Sequence, residues 1–285
     1  MSDTPLTPDL LQNSDYCHLG MRIGADSLTV MIYNPLEDNS LIVRQYPIPT
    51  EGDERQKAIE SIVYDNPLLL LDFAKTNVEI ESANFLLIPD EITDEAEIRK
   101  LFNIAHPETE TRDQLIDNPL EGLNARAISA IKETELNFIR RTMGNVAIFS
   151  HLVPLIKYLR QQLHHGNTTK AFINVREFSA DVIVLSHDRL YLANRFAYKE
   201  PSDLIYYILA ATTPPGGYEV NETLVTGSRP RRDQIIKGLR EFRSSVMPMI
   251  FPSEMYRAGR VSLSSPFALI ILPLCELYAE DTAVG

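Results

Sequence analysis

Between residues 170 and 198 (KAFINVREFSADVIVLSHDRLYLANRFAY) the hydrophobic positions fall into three short strand-like runs. Residues 171–175 form a short apolar run, 181–185 are β-branched, and 190–198 alternate apolar with polar. Ser186-His187-Asp188 breaks the pattern between the last two and predicts a hairpin. A helix follows, announced by Pro201 and Asp203 and carried by Leu204, Ile205, Ile208 and Leu209. The same grammar occurs once before, with strands at 19–23, 28–33 and 41–48 and a helix opening near Glu54. A hairpin, a third strand and a helix that recur after about 150 residues mark a duplicated domain.

The rest of the chain reads more unevenly. Residues 1–15 have no periodicity and read as a loose tail. In the first half, 54–64 is an amphipathic helix with Ala58, Ile59, Ile62 and Val63 on one stripe, and 67–73 continues it. Strands are predicted at 78–80, 85–88, 127–132 and 146–149, with helices over 94–104, 133–143 and 155–163. Residues 106–122 are polar and mixed, and carry no clear pattern. In the second half, 223–225 is a strand and 233–242 a helix with Ile235, Ile236, Leu239 and Phe242 inward. Short strands at 248–252 and 261–263 precede an apolar C-terminal helix. This gives a flexible tail at 1–17, a first half at 18–166 with a small insertion around 90–125, and a second half at 167–285.

Length and charge narrow the classes. A chain of 285 residues suits about two domains. With 39 acidic against 27 basic side chains the net charge is −12, which repels a polyanion and argues against nucleic acid as a partner. Arg229-Pro230-Arg231-Arg232 is the one basic run, and Asp233 beside it makes a solvated helix start. Cys17 and Cys275 sit in no spaced motif, so neither a disulfide framework nor a zinc site is expected and a reducing, cytoplasmic compartment fits. The polar N-terminus has no apolar core of a secretory signal. The apolar segment 266–277 is shorter than the ~20 residues a bilayer needs, so no membrane attachment is expected. His164 and His165 precede Gly166 at a predicted helix end, where the helix dipole accounts for cationic side chains and a metal would want a third ligand.

Three runs stand in order along the chain. They are Gly20-Met21-Arg22-Ile23-Gly24-Ala25-Asp26-Ser27, Asn174-Val175-Arg176-Glu177-Phe178-Ser179-Ala180-Asp181 and Leu224-Val225-Thr226-Gly227-Ser228. With the order of elements, they make the chain from 19 to about 272 resemble the actin-like ATPase superfamily, which includes sugar kinases, chaperone ATPases, and cell-division and pilus-assembly actin homologues. It is also similar to a small bacterial family described as an actin-like fold of unknown function. The resemblance implies an α/β fold with mixed sheets, built as two similar ribonuclease-H-like halves of β-β-β-α-β-α type. It also implies a cleft between them in which such proteins bind ATP.

Against the family's first motif, of type G-I-D-I-G, Gly24 keeps the turn glycine while Arg22 replaces the aspartate that organises Mg²⁺, a reversal of charge where a metal needs oxygen. Against D-L-G-G-G-T-x-D, Ser179 and Asp181 match, Asn174 replaces the acid, and Arg176, Glu177 and Phe178 stand where glycines would let the backbone approach phosphate. Against L-V-G-G-S, Gly227 and Ser228 remain, which serves either a ligand or a tight strand-to-helix turn. The candidate binding residues in the cleft are therefore Arg22, Gly24, Asp26, Asn174, Arg176, Ser179, Gly227 and Ser228, with no catalytic or metal residue assigned. Arg22 and Arg176 serve either a small anion or pairing with Glu177 and Asp181. The expectation is a pseudo-ATPase, a non-catalytic binding or scaffold protein without a cofactor, whose partner is a protein or a small anionic ligand. The alternative is a divergent ATP-dependent phosphotransferase or ATPase, which would need ATP and Mg²⁺ and would draw on Asp26 or Asp181.

Overall fold

The computed structural model describes residues 11, 14–163, 168–213 and 217–275. The His164-His165-Gly166 run, most of the N-terminal tail and Pro214-Pro215-Gly216 lie outside the described residues. The chain divides into two compact units, one from Met1–Pro119, Arg126–Pro154 and Pro252–Gly285, the other from Leu120–Ala125 and Leu155–Phe251.

The first unit opens with β1 (His18–Ile23), β2 (Ser27–Tyr33) and β3 (Ile42–Pro47), paired antiparallel. Helix α1 (Asp53–Tyr64) leads through a 3-10 turn at Pro67–Leu70 to β4 (Lys75–Ile80), parallel to β1. The predicted continuation of α1 is thus a tight turn, since proline at its start removes the donor a longer helix needs. Next come β5 (Phe85–Pro89), α2 (Glu95–Ala105), β6 (Gln114–Leu120), β7 (Ala125–Ile131), α3 (Glu133–Thr142) and β8 (Val146–Ser150). The main sheet has the order β3-β2-β1-β4-β8 and the small one β5-β7-β6. Leu19, Met21, Ile23, Leu28, Val30, Ile32, Val78 and Ile80 supply the sheet side of the core, met by Ile59 and Val63 of α1 and Leu136 and Ile139 of α3. On the small sheet, α2 buries Ile98 and Phe102 against Ile88 and Ile128. Its Asp94 caps the helix by accepting from the Glu97 backbone N–H at 2.8 Å.

Helix α4 (Leu152–Gln161) precedes the second unit's sheet. That sheet contains β9 (Lys170–Val175), β10 (Ser179–Leu185), β11 (Leu190–Ala197), β12 (Glu222–Gly227) and β13 (Val246–Pro248), with α5 (Pro201–Thr212) and α6 (Arg229–Leu239) between them. Its order, β11-β10-β9-β12-β13, repeats that of the first unit, and the duplication predicted from the two hairpins is present in the topology. Helix α5 starts where Pro201 and Asp203 predict, with Glu200 and Asp203 completing a reciprocal capping box.

The sequence order places residues 252–275 after the second half, yet they pack with the first unit. They form α7 (Ser253–Ala258), a 3-10 turn at Arg260–Ser264, α8 (Phe267–Ile271) and a last 3-10 turn at Leu272–Leu274. The predicted strands near 250 and 262 are a three-residue strand ending at Pro248 and this 3-10 turn, because the apolar runs are too short to separate the two periods. Gly20 of β1 makes room for the tail: a Cβ there would lie 3.2 Å from Leu269 Cδ1 and 3.5 Å from Leu272 Cδ2. Cys17 and Cys275 are both buried and form no disulfide, and the Cys275 thiol donates to the Pro154 carbonyl at 3.3 Å. Among the described residues no helix is long and apolar enough to cross a membrane.

Candidate functional site

The two hairpin turns are built alike. In the first, the Gly24 N–H donates to the Ser27 carbonyl at 2.8 Å and the Ile48 N–H to the Asp26 carbonyl at 2.9 Å. In the second, the Arg176 N–H donates to the Ser179 carbonyl at 2.8 Å and the Tyr198 N–H to the Phe178 carbonyl at 3.0 Å. Arg176 therefore occupies the position of Gly24, Ser179 that of Ser27, and Asn174 that of Arg22.

In the first unit the turn is held by a cation. Arg55 of α1 donates to the carbonyls of Gly24 at 2.9 Å, Ala25 at 2.7 Å and Pro49 at 3.2 Å, and to Glu135 of α3 at 2.6 Å. These carbonyls face a guanidinium, the reverse of the N–H lining that an anion requires. Arg22 lies opposite Glu79 in the β1–β4 register, with its Nε 3.3 Å from the Glu79 carboxylate and a second contact to Glu81. Glu79 has no exposed surface. Asp26 is exposed and accepts from the Ser27 hydroxyl at 3.2 Å.

In the second unit the buried carboxylate lies on the hairpin itself. Asp181 on β10 is fully buried. Its carboxylate takes the Arg195 guanidinium at 2.7 and 3.3 Å and Arg176 Nη1 at 2.7 Å, and the Asn174 amide lies at 3.5 Å. The pairing of Arg176 with Asp181 expected from sequence is present, whereas Arg22 pairs with Glu79 and Glu81. The Tyr198 hydroxyl donates to the Arg176 carbonyl. Burial pushes this phenol above its usual range, with smaller opposed influences from the Arg231 cation and the Glu177 carboxylate. Phe178 at the tip of the turn is 66% exposed.

Gly227 ends β12 with φ 132°, and a Cβ there would lie 2.3 Å from the Val175 carbonyl oxygen. Its lack of a side chain is thus required by the β9–β12 approach itself. Ser228 is the N-cap of α6, but its hydroxyl makes no capping bond. Beside it an open hollow of about 340 Å³ is lined by Glu177, Ser228, Pro230, Arg231 and Gln234. The structure thus gathers Asn174, Arg176 and Ser179 at one turn of the second unit and Gly227 and Ser228 at the end of β12, while Arg22, Gly24 and Asp26 belong to the first unit. Sequence reading misses Glu79, Glu81, Arg55, Glu135 and Arg195. For Glu79 and Glu81 the signal is charge within a strand run, as in Val78-Glu79-Ile80-Glu81, whereas Arg55 and Glu135 lie on helices where charge is ordinary. Among the described residues no group of three His, Cys, Asp or Glu side chains is placed to hold a metal ion.

The family model described as "Protein of unknown function (DUF3822)" matches residues 9–242. Among solved structures, the chain is similar to a Bacteroides thetaiotaomicron protein described as having an actin-like ATPase fold and unknown function. The two are 23% identical, with a TM-score of 0.72 and coverage of 90% of this chain and 96% of that one. It is also similar to a chain of a PilM–PilN type IV pilus biogenesis complex, at 12% identity and a TM-score of 0.51, covering 92% of this chain and 99% of that one. No curated protein matches by sequence. The mixed α/β architecture is that of the actin-like ATPases, as the three quoted runs imply.

Proposed function

The chain belongs to the DUF3822 family, and we propose that it is a cytoplasmic, non-catalytic binding or scaffold protein that uses the actin-like ATPase fold without nucleotide chemistry. One observation carries this: each turn that would receive phosphate has its charge satisfied from within. Arg22 is held by Glu79 and Glu81, and Asp181 by Arg176 and Arg195. Phosphoryl transfer relies on a metal clamp on the phosphates and a positioned water. These residues do not fit a magnesium–phosphate group, since a guanidinium stands at the acid's place in the first turn and side chains replace the glycines of the second. A protein partner is favoured because a neighbour with this fold occurs in a two-protein complex, the PilM–PilN assembly.

The test is a calorimetric and thermal-shift titration with ATP and ADP, with and without Mg²⁺, alongside a phosphate-release assay. Nucleotide at about 100 times its Kd would add about 2.7 kcal/mol of stability, an effect easily seen. The expected outcome is no shift and no turnover, and magnesium-dependent hydrolysis overturns the reading. The alternative, a divergent phosphotransferase or ATPase, retains one acid, the exposed Asp26. Under that alternative Asp26→Asn abolishes the turnover.

A further inference from the structure

The charges at the second turn divide into two groups. Asp181, Arg176 and Arg195 are committed to one another. The side chains that line the adjacent hollow of about 340 Å³ are not: among the described residues, Glu177, Ser228, Arg231 and Gln234 make no side-chain hydrogen bond or ion pair. Glu177 and Arg231 are of opposite charge and share this hollow without closing on each other. Both also act on the Tyr198 phenol, in opposite directions.

We infer that the hollow between Glu177 and Arg231 binds a small zwitterion of the free α-amino acid class, with its ammonium on Glu177 and its carboxylate on Arg231. The inference rests on the reading of this chain as a binding protein. Its chemistry follows by elimination among charged ligands. A phosphate or simple carboxylate would face the Glu177 anion, and a simple amine would face the Arg231 cation. A molecule with both charges a few ångströms apart satisfies both, and charge-assisted hydrogen bonds are the stronger kind. The Ser228 hydroxyl and the Gln234 amide supply neutral donors and acceptors. No aromatic side chain lines the hollow to stack on a base. The volume is at the small end of ligand sites, which suits a molecule of this size.

The experiment titrates the full chain by calorimetry with a panel of free L-amino acids, each beside its N-acetyl and carboxamide derivatives, which keep one charge apiece. The expected result is saturable binding of at least one free amino acid, weakened about tenfold in either derivative. Glu177→Gln and Arg231→Gln should each weaken it by a similar factor. The double exchange Glu177→Arg with Arg231→Glu should restore binding, since a zwitterion can bind reversed. Silence across the panel, equal affinity for a singly charged derivative, or single variants that bind as the parent does would each overturn the inference. A parallel ATP–Mg²⁺ titration separates the two readings. Nucleotide binding there defeats the non-catalytic reading, whereas silence in both defeats the zwitterion alone.

Discussion

Asp181 shows how much of this molecule's electrostatics is internal. A carboxylate with no exposed surface costs several kcal/mol to desolvate, and here two guanidiniums offset that cost. Asp181→Ala would leave Arg176 and Arg195 facing each other without an anion. The expected loss is about 3–5 kcal/mol in urea unfolding. Arg176→Gln should cost less, because Arg195 still holds both carboxylate oxygens. An Asp181→Ala protein as stable as the parent would show that the triad is not a structural one. Gly227 gives a second residue-level test. Its missing Cβ would press on a backbone oxygen 2.3 Å away, whereas Gly52, also at positive φ (80°), has nothing within 4 Å of that point. Gly52→Ala should therefore lose only the conformational cost of about 1–3 kcal/mol. Gly227→Ala should lose about 1–3 kcal/mol beyond that, because the strand carbonyl has nowhere to go. Equal losses in the two would mean that β9 and β12 yield to the added methyl.

Contact between elements decides what the sequence could reveal. Helices α5 and α6 meet where Gly238 would, with a Cβ, come 2.3 Å from Ile205 Cδ1. Ile205 Cδ1 is the movable end of a half-buried side chain, and alanine gains about 1 kcal/mol of helix propensity over glycine. Gly238→Ala should therefore change stability in urea unfolding by less than about 1 kcal/mol. A loss of about 2 kcal/mol or more would mean that Ile205 is locked in place between α5 and α6. Helix α5 itself is legible from sequence, since its Pro201 and its Glu200–Asp203 box act over four residues. Strand β6 is not legible: Ile116, Asn118 and Leu120 turn inward along it, and one of these three is polar, which breaks the alternation. The Asn118 amide is needed there, because its oxygen accepts from the Ser150 N–H at 2.8 Å and its nitrogen reaches the Ile148 carbonyl. The candidate site divides in the same way. Arg22, Gly24, Arg176 and Gly227 are visible as departures from or matches to a local pattern. The Arg176–Asp181 pair is local and legible, whereas the partners of Arg22 lie far along the chain, as Glu81 lies 59 residues from it, and sheet register brings them together.

At the scale of the whole molecule, two sheets of one order and two turns of one hydrogen-bond pattern each set a fully buried carboxylate against guanidinium, Glu79 in the first unit and Asp181 in the second. The backbone of the turn is thus the same in both units, while the side chains that surround it differ. The overall charge of −12 bears on partners in a way that no single turn does. A protein with that net charge disfavours polyanions at long range, most strongly at low salt where screening is weak. The opposing feature is the Arg229, Arg231 and Arg232 cluster at the start of α6, where Arg232 is already paired with Asp233 at 2.8 Å. Arg229 and Arg231 alone supply too few phosphate contacts to offset the surrounding acidic field, since non-specific affinity for duplex DNA scales with the number of phosphates neutralised. The expected outcome is therefore no retardation of duplex DNA in a gel, even at low ionic strength. Retardation that disappears in an Arg229→Ser, Arg231→Ser variant would reverse the argument. It would mean that local field at α6 outweighs net charge, and the partner search would then turn from proteins and small zwitterions to nucleic acid.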